Sequence, residues 1–209
     1  MKGALEEKLN ADDRRIIGVD EVGRGCLAGN VFAAAVVLDY KKLNDLDPKE
    51  KDLISDSKKL SLKKRYLAQE LIQQISLETH IAYASVDEID MINILQASLL
   101  AMKRAVSRCQ KKANNYVLVD GNKPIPELAY KQAQVIKGDS LVYSIAAASI
   151  LAKITRDEYM QKQAQLYPNY GFEKHVGYGT KFHMQALEEN GVTPIHRRSF
   201  APVRRALEP

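Results

Sequence analysis

The chain offers little sulfur chemistry. Its two cysteines, Cys26 and Cys109, belong to no Cys-x-x-Cys pair, so neither a disulfide framework nor a zinc knuckle can be built from them. A reducing compartment is the simpler expectation, and we read the protein as cytoplasmic. Long apolar runs are missing too. The longest, Val31 to Leu38, is far too short to span a bilayer, so no membrane partner is expected. Met1 to Asn10 mixes acid, base and apolar residues, which does not read as a signal peptide. Internal repeats and low-complexity linkers are also lacking. The histidines do not fall into metal-binding spacing such as H-E-x-x-H.

What is present fits one large globular domain. The chain has 209 residues, 45% of them apolar and 27% charged, with a net charge of +5. That balance leaves a polyanionic partner open without requiring one. Arg14 to Asp20 and Val31 to Leu38 read as strands joined by a glycine-rich hairpin. Lys41 to Lys59 reads as a long polar loop. Ser61 caps an expected helix through Ile75, with Leu62, Tyr66, Leu67, Leu71 and Ile75 on its apolar face. A strand over His80 to Val86 and a helix over Glu88 to Cys109 follow. Strands are then expected at Tyr116 to Asp120 and Gln134 to Lys137, and a long buried helix from Ser140 to about Leu166. An aromatic and glycine-rich loop, Pro168 to Thr180, leads into a helix capped by Thr180 and ended by Asn190-Gly191. The pattern predicts one α/β domain over 1–209, with about 180–209 as a helical or extended C-terminal extension.

The chemistry concentrates in Ile17-Gly18-Val19-Asp20-Glu21-Val22-Gly23-Arg24-Gly25, where a strand runs into two adjacent acids and a glycine-arginine-glycine turn. Carboxylates suit hard cations, and a glycine-flanked arginine can approach a phosphate closely. The glycines at 23, 25 and 29 lack dinucleotide-binding spacing and precede a strand, not a helix. Asp120 ends the apolar run Tyr116 to Val119, and Asp139 precedes the long helix. Each acid has an ordinary reading as well: a solvated strand end for Asp20 and Glu21, an Asp-Gly turn for Asp120, a helix cap for Asp139. Together they form a candidate cage for one or two divalent cations, Mg²⁺ or Mn²⁺. Neighbouring strand residues point to opposite faces, so both Asp20 and Glu21 serving one site calls for a bulge, an early strand end or a second ion. Ser57 and Lys58 offer a hydroxyl and an ammonium to phosphates, and Tyr178, between two glycines, offers a ring for stacking. His183 is read as a packing or hydrogen-bonding residue, and the tail arginines as a solvated face.

These segments resemble the type 2 ribonuclease H family, bacterial ribonuclease HII. The matches are Gly18 to Gly25, Leu27-Ala28-Gly29, Asp56 to Ser61, Val119 to Asn122, Lys137-Gly138-Asp139, Ser144 to Lys153, Tyr170-Gly171-Phe172, Gly177 to Thr180 and His196 to Phe200. They span nearly the whole chain in order. The resemblance implies an RNase H-like mixed sheet flanked by helices. It implies cleavage of RNA in RNA–DNA hybrids and nicking 5′ of ribonucleotides embedded in duplex DNA, leaving 3′-hydroxyl and 5′-phosphate ends. By similarity Asp20, Glu21, Asp120 and Asp139 bind metal, Gly23, Arg24 and Gly25 read the 2′-hydroxyl, and Tyr178 packs on the neighbouring deoxyribose. A monomer is expected. Cys26 and Asn30 stand where proline is usual, and Val176 where lysine is common. These departures imply a less rigid hairpin and a weaker backbone contact. The rival readings are a non-catalytic nucleic-acid-binding protein of the same fold and a metal phosphotransferase acting on small nucleotides.

Overall fold

The computed structural model describes residues 2–55, 57 and 60–208. Five strands form one mixed sheet in the order β3-β2-β1-β4-β5: β1 (Arg15–Val22), β2 (Val31–Leu38), β3 (Ser76–Ala84), β4 (Asn115–Asp120) and β5 (Lys131–Val135). β1 lies at the centre. It pairs antiparallel with β2, as Gly18 with Val36, and parallel with β4, from Arg15 with Asn115 to Val19 with Val119. The helices are α1 (Ala4–Ala11), α2 (Tyr40–Asp45), α3 (Pro48–Leu53), α4 (Leu62–Ile75), α5 (Val86–Ser107), α6 (Gly138–Leu141), α7 (Tyr143–Leu166), α8 (Phe172–His175), α9 (Lys181–Asn190) and α10 (Ala201–Arg205).

The alternation of side chains along β1 divides the core. Ile17 and Val19 face α5 and pack with Ala101, Met102 and Ala105. On the other face, Ala34 and Val36 of β2 pack with Ile72 of α4 and with Ala147 and Ile150 of α7. Residues of α8, α9 and the tail form a further cluster with Leu27, Ala28 and Met160. Gly18 lets α7 lie on β1: a Cβ there would stand 2.3 Å from the Ser144 carbonyl carbon and 2.5 Å from the Ile145 nitrogen.

Several expectations need correction. The stretch expected as a loop over 41–59 contains α2 and α3, each started by an aspartate cap: Asp39 accepts from Lys41 N, and Asp47 forms a capping box with Glu50. The buried face of α4 is Ala68, Leu71, Ile72 and Ile75, whereas Leu62, Tyr66 and Leu67 are exposed. Ala68, Leu71, Ile72 and Ile75 sit in one cluster with Ala34, Val36 and Leu38 of β2, so the helix is rotated from the expected face. β3 begins at Ser76, directly after α4, and β5 ends before the expected strand is complete. The long helix is broken at Val142, whose backbone is extended. There the buried Glu6 of α1 accepts hydrogen bonds from Tyr143 N (2.7 Å) and Ser144 N (2.9 Å), capping α7 from a distant segment. α5 kinks at Asn93, whose Oδ1 accepts from Leu95 N and Gln96 N and restarts the helix. No helix among the described residues is long and apolar enough to cross a membrane.

Candidate active site

Parallel pairing of β1 with β4 ends at Val19 and Val119, so the next residues, Asp20 and Asp120, stand where the two strands part. β1 stays regular through Val22, paired with β2, so of the alternatives raised above neither a bulge nor an early strand end is found there. The alternation holds instead. Asp20 faces α7, and Glu21 turns toward α5. Both open onto a cavity of about 350 Å³, together with Asp120 and Asp139. Glu21 and Asp120 also border a smaller cavity of about 170 Å³ against Leu95, Ser98 and Met102 of α5. The acids therefore straddle the rim of the sheet, which is how adjacent strand residues reach one site.

Each acid is held. Asp20 Oδ1 accepts from Glu21 N (2.7 Å), and Asp120 Oδ1 accepts from Gly138 N (2.7 Å), which draws Asp139 toward the cluster. Arg24 Nη1 pairs with Glu21 at 3.3 Å. Burial pushes the Asp20 carboxyl well above the usual range, with repulsion from Glu21 and Asp120 adding to it. Burial likewise raises Glu21, against the pull of Arg24, and raises Asp120, with Asp139 adding repulsion. Acids that resist ionisation because of burial and one another form a donor set that a divalent cation would relieve.

Ser57 is buried, with its Oγ 3.0 Å from Ser149 Oγ beside Asp20. Lys58 lies outside the described residues. Tyr178 lines the same cavity with 41% of its surface exposed, and it bridges to Cys26 in the 23–30 loop. Arg65 and Lys153, unassigned by the sequence, also line the cavity; both are fixed by Asp157, at 2.9 and 2.6 Å. Ser149, Lys153 and Arg156 recur at i, i+4 and i+7 on α7, a polar stripe in an apolar helix that could have marked them.

The 23–30 loop is anchored by two arginines with no exposed surface. Arg197 donates to the carbonyls of Gly23 (2.7 Å), Arg24 (2.9 Å) and Gly29 (2.7 Å). Arg156 donates to those of Ala28 (3.1 Å), Asn30 (3.2 Å) and Val176 (2.8 Å). Arg197 thus corrects the reading of the tail arginines as a solvated face. These bonds supply the rigidity that Cys26 and Asn30 do not bring as prolines would. Gly23 has φ +94, and a Cβ there would stand 2.1 Å from Arg156 Nε, so the anchor and the glycine require each other.

A larger cavity, about 500 Å³, lies at the opposite end of β1 among Arg14, Arg15, Asp39 and Lys112, away from the converging acids. Glu78, His80 and Cys109 place donor atoms within 4.8 Å of one another. The Glu78 oxygens are already engaged by Arg15, by His80 Nε2 (3.1 Å) and by Gln110 N (2.9 Å), and burial pushes the Cys109 thiol up to about 11. That group is already engaged as an ion-pair cluster.

The family model described as Ribonuclease HII matches residues 17–203. The Ribonuclease HII of Shewanella pealeana is 53% identical over 190 residues, covering 91% of this chain and 89% of that protein. The crystal structure of the ribonuclease H2 from Pyrococcus horikoshii OT3 superposes with a TM-score of 0.76 at 25% identity, covering 92% of this chain and 97% of that one. A Bst ribonuclease HIII in complex with Mn²⁺ shares the fold, with a TM-score of 0.66 at 17% identity, covering 93% of this chain and 69% of that one.

Proposed function

The chain belongs to the ribonuclease HII family, and from that premise we propose that Asp20, Glu21, Asp120 and Asp139 are its catalytic, metal-holding carboxylates. The protein is a hydrolase, an endoribonuclease of the type 2 ribonuclease H class. Its substrates are RNA–DNA hybrids and duplex DNA carrying single ribonucleotides. A water oxygen attacks phosphorus and the P–O3′ bond breaks on the 5′ side of the ribonucleotide, leaving a 3′-hydroxyl and a 5′-phosphate.

The observation that carries this reading is the convergence of the four acids with Tyr178 on one cavity at the rim of β1 and β4. Oxygen donors of this kind suit Mg²⁺ or Mn²⁺, and the Mn²⁺ complex of the Bst enzyme is in keeping with that choice. When bound, such cations supply Lewis acidity that activates water and steadies the leaving oxygen. The chain's own groups do the rest. Arg65 and Lys153, held by Asp157, present cations to the strand's phosphates. Ser57 and Ser149 steady Asp20 from behind.

The carbonyls of Gly23 and Arg24 are drawn inward by Arg197, so the Gly23-Arg24-Gly25 turn meets the 2′-hydroxyl with its outer edge. The Tyr178 ring packs on the deoxyribose beside the junction. Lys58, next to Ser57, adds a phosphate contact. We read 1–209 as one catalytic domain acting as a cytoplasmic monomer.

The test is a duplex with one internal ribonucleotide, incubated with Mg²⁺ or Mn²⁺. A nick on the 5′ side of that ribonucleotide is expected. An intact duplex, or hydrolysis of free nucleotides in its place, overturns the reading.

A further inference from the structure

Tyr178 stands between Gly177, at φ +88, and Gly179, so its own backbone does little to fix its ring. Its peptide is held nearby by Tyr178 N donating to His175 O (2.9 Å) and Thr180 N donating to Tyr178 O (2.8 Å), and from farther off by a row of side chains. Tyr178 O sits 2.9 Å from His183 Nδ1; His183 Nε2 sits 3.0 Å from His196 Nε2; and His196 Nδ1 accepts from Thr193 N at 2.9 Å. Every proton in this row can be placed. A carbonyl only accepts, so His183 carries its proton on Nδ1 and accepts at Nε2. His196 must then donate from Nε2, which leaves its Nδ1 free to accept, as the Thr193 amide requires.

Burial pulls His183 and His196 down to about 4, with repulsion from His175 adding at His183 and from His183 adding at His196, so both are neutral near pH 7. His175 stacks on His183 with ring centroids 4.6 Å apart, while its Nε2 lies 2.7 Å from Tyr170 O and its Nδ1 accepts from Gly177 N. The row thus runs from Thr193 in the C-terminal segment, through the interior, to the peptide that carries the Tyr178 ring at the mouth of the cavity.

We propose that His183 and His196 are positioning residues for the reaction: their hydrogen-bonded row fixes the Tyr178 peptide and so sets the ring against the sugar beside the scissile phosphate. This rests on the role given to Tyr178 above. Neither histidine touches substrate. A side chain that only fills space would have no preferred tautomer, whereas this row demands one at each ring.

Two substitutions separate positioning from packing. In His183→Asn the amide nitrogen takes the place of Nδ1 and keeps the bond to Tyr178 O. In His183→Gln the amide falls near Nε2, so the link to His196 is kept and the one to Tyr178 is lost. On a single-ribonucleotide duplex, His183→Gln is expected to lower kcat about tenfold, as for one lost hydrogen bond at a positioned group, with His183→Asn clearly less affected. Equal losses, or none in His183→Gln, overturn the proposal.

Tyr178→Ala is measured alongside. Unchanged kinetics there would refute the role of Tyr178 itself. A loss in Tyr178→Ala with none in His183→Gln would refute only the row. Nitrogen-15 spectra of the wild-type histidines need no variant to fold: they should show His183 protonated at Nδ1 and His196 at Nε2, and the opposite tautomer at His183 refutes the arrangement.

Discussion

Replacing Gly18 with alanine would add one methyl group at the point where α7 rests on β1. The new Cβ would stand 2.3 Å from the Ser144 carbonyl carbon, and ordinary contact begins near 3.4 Å. The obstruction is backbone, not a side-chain end that can swing away, so helix and strand must separate by about 1 Å. Overpacking of this kind costs about 1–3 kcal/mol, and a rigid backbone neighbour puts Gly18→Ala at the upper end. For a chain of this length that is a fall in Tm of roughly 5–10 °C.

The same displacement reaches the chemistry. Gly18 lies two residues before Asp20, and Ser144 sits in the first turn of the helix that carries Ser149 and Lys153 to the cavity. A misplacement of about 1 Å can cost on the order of a hundredfold in rate. Thermal unfolding by circular dichroism and single-turnover cleavage of a one-ribonucleotide duplex would measure both effects. A Gly18→Ala protein within about 1 °C of the wild-type Tm, cutting at the wild-type rate, would show that this contact does not set the site.

Asp20→Asn should abolish cleavage, because a neutral amide is a poor ligand for a hard cation, yet raise the stability of the chelated protein at pH 7 by on the order of 1 kcal/mol. The sign follows from the raised Asp20 carboxyl: its charge burdens the folded state. That burden is absent at pH below the ordinary aspartate value and grows as pH climbs through it to the raised one. Chelated wild-type protein should therefore lose stability over that climb more steeply than the variant, and matching pH–stability curves would refute the argument. Arg197→Lys should destabilise by about 3 kcal/mol in a denaturant titration, since an ammonium cannot reproduce a buried fork that serves three carbonyls; an unchanged midpoint would mean the loop does not depend on it.

The sequence carried the features that are local. β2 and α4 have the expected bounds, and the end of α9 follows from its cap and glycine, because apolar periodicity and capping act within a few residues. The acids were visible for a similar reason, each at the end of an apolar strand or the start of a helix. α2 and α3 are too short to show periodicity, though Asp47-Pro48 followed by Glu50 carries a capping signal. The roles of Glu6, Arg156 and Arg197 could not be read from local pattern, even where a polar stripe on α7 singles out Arg156 as unusual. Their partners lie 137, 126 and 174 residues away, and a buried charge looks in sequence like any surface one. The adjacency of Asp20 and Glu21 left open a bulge, an early strand end or a second ion. The observed answer is the parting of β1 from β4, a property of two strands that neither shows alone.

The anchoring of the 23–30 loop by Arg197 also orders events in time. On the ribosome, the acids of β1 and β4 can meet once synthesis has passed residue 139, but the loop beside them waits for a guanidinium 174 positions after Gly23. Closing so long a separation adds little entropy cost over a shorter one; the delay comes from synthesis. A nascent or prematurely terminated chain can therefore gather its carboxylates before the Gly23-Arg24-Gly25 turn is anchored, and the part of the site that we propose reads the ribose is completed last.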